Sequence, residues 1–232
     1  MKIIPHSIKK RACYGYEGFP RFVPHGKALE IGCGNGAYLA RLQQLGWDVT
    51  GVDISLAAAA SAASLNINVH IGELEEINLP TDYYDFAYMN HSIEHVRNPI
   101  SLLAHLHDLM RPGSFLWIET PDIESYGAHL FKQYWFPIES PRHLWLFSSR
   151  TLKKALNEAG FEIIKSYHKS FPSVKWDATY RYEELTKTLL SKRPSLPVKS
   201  IPRSLVTSLL ITLSNRLRPQ SRDILCVWAQ RI

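Results

Sequence analysis

The sequence predicts an α/β fold, a mostly parallel sheet covered by helices on both faces. From residue 27, short apolar runs alternate with segments of helical period, as expected when strands and helices follow one another. A glycine-rich turn, Gly32-Cys33-Gly34-Asn35-Gly36, joins the first apolar run to the first helical one. The 232 residues, 45% of them hydrophobic, are enough to bury one good core, so a single domain over 1–232 is expected.

Ala28 to Ile31 is the first strand, ending in the glycine turn. Leu39, Leu42 and Leu45 then mark one face of a helix that stops at Gly46, a residue suited to a helix C-terminus. Trp47 to Val52 reads as the second strand, closed by Asp53. Ser55 can cap a helix through Ala57 to Ala63, and Val69-His70-Ile71 is a short third strand. Tyr84 to Met89 is the fourth. Asn98 and Pro99 supply a cap and a first-turn proline to a helix whose Leu102, Leu103, Leu106, Leu109 and Met110 share a face. Arg111-Pro112-Gly113 is read as its end, with strand five running from Ser114 to Glu119.

The stretch from Thr120 to Ser148 breaks this rhythm and is too rich in Pro, Tyr, Trp, Phe and His for a plain connection. Regular alternation returns with a Ser-capped helix bearing Leu152, Ala155, Leu156 and Ala159, stopped by Gly160. Strand six begins at Phe161, and Asp223 to Ala229 is the last strand. Between these two, Pro194, Pro197 and Pro202 interrupt two helices in a basic region.

The formal charge of +6 is unevenly placed. Of the 27 Lys and Arg and 21 Asp and Glu, residues 181–232 hold ten and three, leaving seventeen against eighteen before them. A neutral front argues against a nucleic-acid-binding face there. Cys13, Cys33 and Cys226 have neither disulfide nor zinc spacing, which fits a reducing cytoplasm. No stretch has signal-peptide character, and Ser204 to Leu213 is about half the length of a membrane span.

A glycine turn between a strand and a helix lets backbone approach a nucleotide-like ligand. With Ala37 following, the letters also fit a dinucleotide fingerprint, so a nicotinamide or flavin site is a competing expectation. Asp53, about twenty residues on, can accept hydrogen bonds from ribose hydroxyls in either case. Glu30 separates the two. A pyrophosphate is repelled by a nearby carboxylate, whereas a ligand carrying an ammonium and a sulfonium is favoured by one.

The segments "ALEIGCGNGAYLARL", "VTGVDIS", "IGELEEINLPTDYYDFAYMNHSIEHVRNP" and "LRPGSFLWIETPD" occur in this order within residues 27–122. The chain thereby resembles class I S-adenosylmethionine-dependent methyltransferases, particularly the branch of ubiquinone and menaquinone biosynthesis. "PRHLWLFSSRTLKKALNEAGF" extends the resemblance to residue 161. It implies a Rossmann-like, seven-stranded, mostly parallel sheet of order 3-2-1-4-5-7-6. It also implies S-adenosyl-L-methionine as cofactor and a division into an N-terminal cap (1–26), a cofactor-binding half (27–122), an aromatic insert (123–148) and a C-terminal half (149–232). Glu30, Gly32, Cys33, Gly34 and Gly36 then surround the methionine end, Asp53 holds the ribose, and Ile54 packs on the adenine. Glu73 and Leu74 stand where the family holds adenine, usually with an Asp, and Asn90 opens the segment that lies along the cofactor.

Asn90-His91-Ser92-Ile93-Glu94-His95 follows strand four, at the crevice where open α/β sheets bind ligands. His91 or His95 can serve there as proton acceptor, as can His143 from the aromatic stretch. His91, Glu94 and His95 also have the spacing of a metal trio, resembling a Glu-x-x-Glu-His version in some quinone O-methyltransferases. The preferred expectation is that Glu94 and His95 fix the loop by hydrogen bonds, and no metal ligand is assigned. Tyr126, Phe131, Tyr134, Trp135, Phe136, Trp145 and Phe147 are expected to divide between a cover over the methyl group and packing. Tyr14, Tyr16, Phe19 and Phe22 are expected to fold over the pocket or pack on the sheet edge. Arg142 and the basic residues between Arg181 and Arg222 can receive an anionic acceptor, although a solvated helical face is the more common use of such charge.

Methyl transfer from a sulfonium is an in-line displacement, catalysed largely by alignment and exclusion of water. The expected activity is therefore methylation of a small-molecule acceptor, at oxygen where a histidine takes the proton. A nucleotide-dependent oxidoreductase and a silent cofactor-binding module are the alternatives. A nucleic-acid methyltransferase is disfavoured, because "NHSIEH" stands where amino-methylating DNA enzymes carry Asn or Asp before Pro-Pro and an aromatic.

Overall fold

The computed structural model describes Pro20, residues 23–170, Leu213 and residues 222–232. Seven strands form one sheet: β1 (Lys27–Ile31), β2 (Asp48–Asp53), β3 (Val69–Ile71), β4 (Tyr84–Asn90), β5 (Met110–Pro121), β6 (Phe161–Lys169) and β7 (Ile224–Arg231). Their order is β3-β2-β1-β4-β5-β7-β6, as expected. β1, β2, β3, β4 and β5 pair in parallel, while β7 runs antiparallel to both β5 and β6.

Side chains alternate across the central strands with the period of two that a pleated strand imposes. Leu29, Ile31, Ala87, Met89, Leu116 and Ile118 face one core. Ala28, Phe86, Tyr88 and Trp117 face the other. The helices are α1 (Ala37–Gln44), α2 (Leu56–Ala63), α3 (Pro99–Leu109), α4 (Tyr126–Phe131) and α5 (Ser149–Glu158). Leu102, Leu103 and Leu106 of α3 and Leu152 and Leu156 of α5 fill the first core. Leu42 of α1 enters the second, beside Trp47.

The expected caps form. Ser55 accepts from the Ala58 N–H and Asn98 from the Ser101 N–H, while Ser148 and Thr151 make a reciprocal capping box. One boundary differs. Met110 pairs with Tyr84 as the first residue of β5, and Arg111-Pro112-Gly113 lies inside that strand. The register then jumps from Tyr84–Met110 to Phe86–Phe115, so the extra residues form an irregularity at the strand's start. Met110 is fully buried, and its apolar side chain served helix and strand equally well as a sequence signal.

The expected N-terminal cap residues Tyr14, Tyr16, Phe19 and Phe22, and most of the basic region from Arg181 to Arg222, lie outside the described residues. No helix among the described residues is long and apolar enough to cross a membrane.

Candidate active site

β1 and β4 are neighbours, and the chain leaves their carboxyl ends in opposite directions, opening a crevice between two loops. The first is the glycine turn. The N–H groups of Gly32 and Cys33 both donate to Val52 O, at 2.8 and 3.2 Å, which folds the turn back onto β2. Asp53 completes the junction: its two carboxylate oxygens accept from the Gly34 and Ser55 N–H groups, each at 2.9 Å. Each oxygen keeps a further lone pair for a ligand.

The three glycines are required for different reasons. Gly32 has φ of +72°, and a Cβ there would sit 2.6 Å from the Cβ of Ser92 on the opposing loop. Gly34, at +51°, faces open space, with nothing within 4 Å of where its Cβ would be. Gly36 lets α1 approach Ala62 of α2.

A cavity of about 630 Å³ opens from this turn, within the range of small-molecule and cofactor sites. Gly32, Asp53, Ile54, Glu73 and Leu74 form its wall on the β1–β3 side, and His91, Ser92, His95, Arg142 and Leu144 on the other. Ile54 is 75% exposed, an unusual position for a large aliphatic residue and one that a planar ligand can cover. Glu73 pairs with Arg97, which also lines the cavity, Oε1 to Nε 3.5 Å.

Glu30 lies behind the turn and is 4% exposed. Its Oε2 has no hydrogen-bond partner. Burial, with a smaller contribution from the Asp53 charge, pushes its pKa up to about 9. Cys33 projects the other way, into an apolar cluster with Leu39, Ala62 and Ile67. Its thiol is raised to about 12 by burial and by the nearby carboxylates, so it is a packing group whose contribution at the turn is its backbone.

The second loop turns on Ile93–His95. Burial pushes Glu94 upward, but the hydrogen bond and charge of His91, its own backbone and Thr120 outweigh that, and its carboxyl sits below the usual range. His91 Nδ1–H donates to Glu94 Oε1 at 3.2 Å, and Thr120 Oγ1–H to Oε2 at 3.0 Å. His91 itself is held by its N–H on Glu119 O, 2.9 Å. The Leu144 and Trp145 N–H groups both donate to Glu94 O, and Trp145 Nε1–H donates to Val96 O, so the aromatic insert is fastened to this loop.

The expected residues thus fall in two groups. Gly32, Asp53, Ile54, Glu73, Leu74, His91 and His95 border the cavity. Glu30, Cys33, Gly34, Gly36, Asn90 and His143 stand behind or beside its wall; Asn90 ends β4 opposite Glu119. Of the insert, Arg142 and Leu144 reach the cavity. The aromatics expected as a cover mostly pack elsewhere: Phe131 and Trp135 form a small core with Ala128, and Phe147 joins the main one. The side chain of Tyr134 lies outside the described residues. Sequence reasoning missed Thr120 and Ser92. Only the proximity of strand ends joins Thr120 to Glu94, whereas Ser92 stood within the segment already singled out.

The fold and this crevice define a Rossmann-like protein of the nucleotide-cofactor-binding type, and comparison with known proteins makes that specific. Residues 8–166, well over half of the chain, match a methyltransferase domain, and the chain belongs to that family. It is a methyltransferase. An uncharacterized protein of Methanocaldococcus jannaschii is 25% identical over 158 residues, 68% of this chain and 75% of that one. A ubiquinone biosynthesis O-methyltransferase of Acinetobacter baylyi is 26% identical over 102 residues, 40% of this chain and 43% of that enzyme, so the likeness spans under half of the relative. A solved SAM-dependent methyltransferase from Archaeoglobus fulgidus superposes with a TM-score of 0.61 at 25% identity, over 97% of this chain and 92% of that one.

S-adenosylmethionine fits the residues present. An orphaned buried carboxyl at Glu30 awaits a cationic donor, Gly34 leaves open the space a Cβ would fill, and Asp53 retains acceptor capacity.

Proposed function

We propose that this methyltransferase methylates a hydroxyl oxygen of a small-molecule acceptor, with His91 as proton acceptor and Glu94 as the group that positions it. The observation that carries this reading is the His91–Glu94 pair on the cavity wall. With Nδ1–H committed to an ionised carboxylate, Nε2 of His91 carries the lone pair, and Glu94 stabilises the imidazolium formed when a proton arrives. His95 and His143 also direct Nδ1–H inward, to Arg142 O at 2.9 Å and Pro137 O at 2.5 Å. The side chain of His143 is 6% exposed and off the cavity wall, which leaves His95 as the other histidine on that wall among the described residues.

Bound S-adenosylmethionine supplies an electrophilic methyl group on a sulfonium. Glu30 accepts the methionine ammonium, and Gly32, Gly34 and Gly36, with the Cys33 backbone and Asn90, shape the cradle around it. Asp53 accepts the ribose hydroxyls, Ile54 and Leu74 enclose the adenine, and Glu73 lies within reach of its amine. The likeness to a ubiquinone biosynthesis O-methyltransferase supports oxygen as the target. Arg142, on the same wall as the histidines, suits an acceptor bearing an anionic group.

Two substitutions test the assignment. Asp53→Ala is expected to weaken S-adenosylmethionine binding by roughly 10- to 100-fold in calorimetric titration, the loss of charge-assisted hydrogen bonds of about 1.5–3 kcal/mol. His91→Ala is expected to lower kcat with a hydroxyl acceptor by about 10²–10⁴ while leaving cofactor affinity near wild type. Unimpaired binding in the first variant, or undiminished O-methylation in the second, would contradict the corresponding role.

A further inference from the structure

The insert brings a third metal-ligating side chain to the His91–His95 loop from nearly fifty residues away. Glu94, His95 and His143 each offer a ligand atom, and the three atoms lie within 4.8 Å of one another. The rings of His95 and His143 meet edge to face with centroids 4.6 Å apart.

The hydrogen-bond geometry makes this cluster more than a crowd of polar groups. Carbonyl oxygens can only accept, so His95 must carry its proton on Nδ1 to bond Arg142 O, and His143 must do the same to bond Pro137 O. With Nδ1 turned to a carbonyl in each ring, Nε2 is the nitrogen left to face a ligand. Metal-bound histidines show this arrangement, with the outer nitrogen donating to a backbone carbonyl and fixing the tautomer. Nε2 of His143 also faces the Glu139 carboxylate, 3.4 Å from Oε2. Glu139 thus sets a further carboxylate oxygen at the edge of the cluster. Glu94 is 1% exposed, so its carboxylate is held in place within the cluster. Its oxygens have further lone pairs beyond those used by His91 and Thr120.

We propose that Glu94, His95 and His143 bind a divalent transition metal of the zinc class. Two imidazoles and one carboxylate suit such an ion and are poor ligands for magnesium, which demands oxygen. The sequence suggested a trio of His91, Glu94 and His95 and preferred hydrogen bonding to a metal. The structure uses His91 as the hydrogen-bond partner of Glu94, in the outer shell, and His143 is the residue that sequence spacing could not supply. The ion ties the insert to the loop after β4, on the acceptor side of the cavity that His95 and Arg142 border.

The test is cobalt(II) uptake by the full chain after chelator treatment, in the absence of S-adenosylmethionine. One equivalent is expected to give the intense visible bands of a low-coordinate nitrogen and oxygen site, and zinc is expected to abolish them. His143→Ala and Glu94→Gln are each expected to lower cobalt affinity by more than about 100-fold, the upper range for loss of a mere outer-shell partner. Circular dichroism would establish that both variants are folded. Absence of the bands in the wild-type protein overturns the site and leaves His143 simply beside Glu139. Equal uptake by folded His143→Ala protein overturns it as well. Because no cofactor or acceptor is present, the outcome is independent of whether the methylation chemistry proposed above is correct.

Discussion

At Glu30 a carboxyl is buried in a place where nothing in the protein alone rewards its charge. Its pKa of about 9 keeps it protonated at neutral pH, whereas in the unfolded chain it ionises near the ordinary glutamate value of 4.5. Between these limits the folded state holds a proton that the unfolded state has lost, so this group's contribution to stability falls as pH rises. Glu30→Gln removes that dependence. The stability of wild-type protein relative to the variant should therefore decline between pH 5 and 8.5 in urea titrations without cofactor, and a constant difference would refute the buried-acid assignment. An ammonium placed beside the carboxyl brings its pKa down again. S-adenosylmethionine binding at pH 7 is accordingly expected to release a proton, seen as a dependence of the calorimetric heat on the buffer's ionisation enthalpy, and Glu30→Gln is expected to abolish it.

The element that matters most is the turn between β1 and α1, where two glycines of similar backbone conformation should respond differently to alanine. Both sit at positive φ, which alone costs a non-glycine residue on the order of 1–2 kcal/mol. Gly32→Ala adds a collision with Ser92 across the crevice, so thermal unfolding should show the larger loss of stability. Gly34→Ala meets no protein atom and should unfold closer to wild type, but its methyl group enters the space assigned to the ligand, so cofactor affinity should suffer most there. Equal effects on both properties at both positions would remove the distinction.

This turn was legible in the sequence because its constraints are local: a strand, three glycines and an aspartate about twenty residues on. Caps such as Asn98 and Ser148 were legible for the same reason. The start of β5 was not, since an irregular register depends on what Tyr84 and Phe86 pair with. Nor was the partition of the insert, because an aromatic residue reads alike whether it packs beneath Ala128, as Phe131 and Trp135 do, or borders a cavity. The Thr120–Glu94–His91 chain and the approach of His143 to His95 arise from the closeness of strand ends and a long connection, which spacing cannot encode.

For the molecule as a whole, a ligand that binds only the folded state should stabilise it by mass action. At S-adenosylmethionine concentrations of 100 Kd this amounts to about 2.7 kcal/mol, or a rise of about 5–11 °C in the unfolding midpoint for a chain of this size. The same concentration should stabilise the Asp53→Ala protein by only about 0.4–1.4 kcal/mol, given the roughly 10- to 100-fold loss of affinity expected above, and a shift equal to that of wild type would show that the ligand binds elsewhere.

β7 lies between β5 and β6 and is antiparallel to both, although β6 is made well before it. Among the described residues β6 has no other strand neighbour, so during synthesis it must wait beside an incomplete edge until a much later stretch of chain arrives to bridge the gap. Closure of the architecture is thus a late, long-range event, which slows folding and prolongs exposure of an unpaired edge. Once β7 is in place, peeling it away releases two pairings at once, so the two halves of the sheet gain their cohesion in a single step.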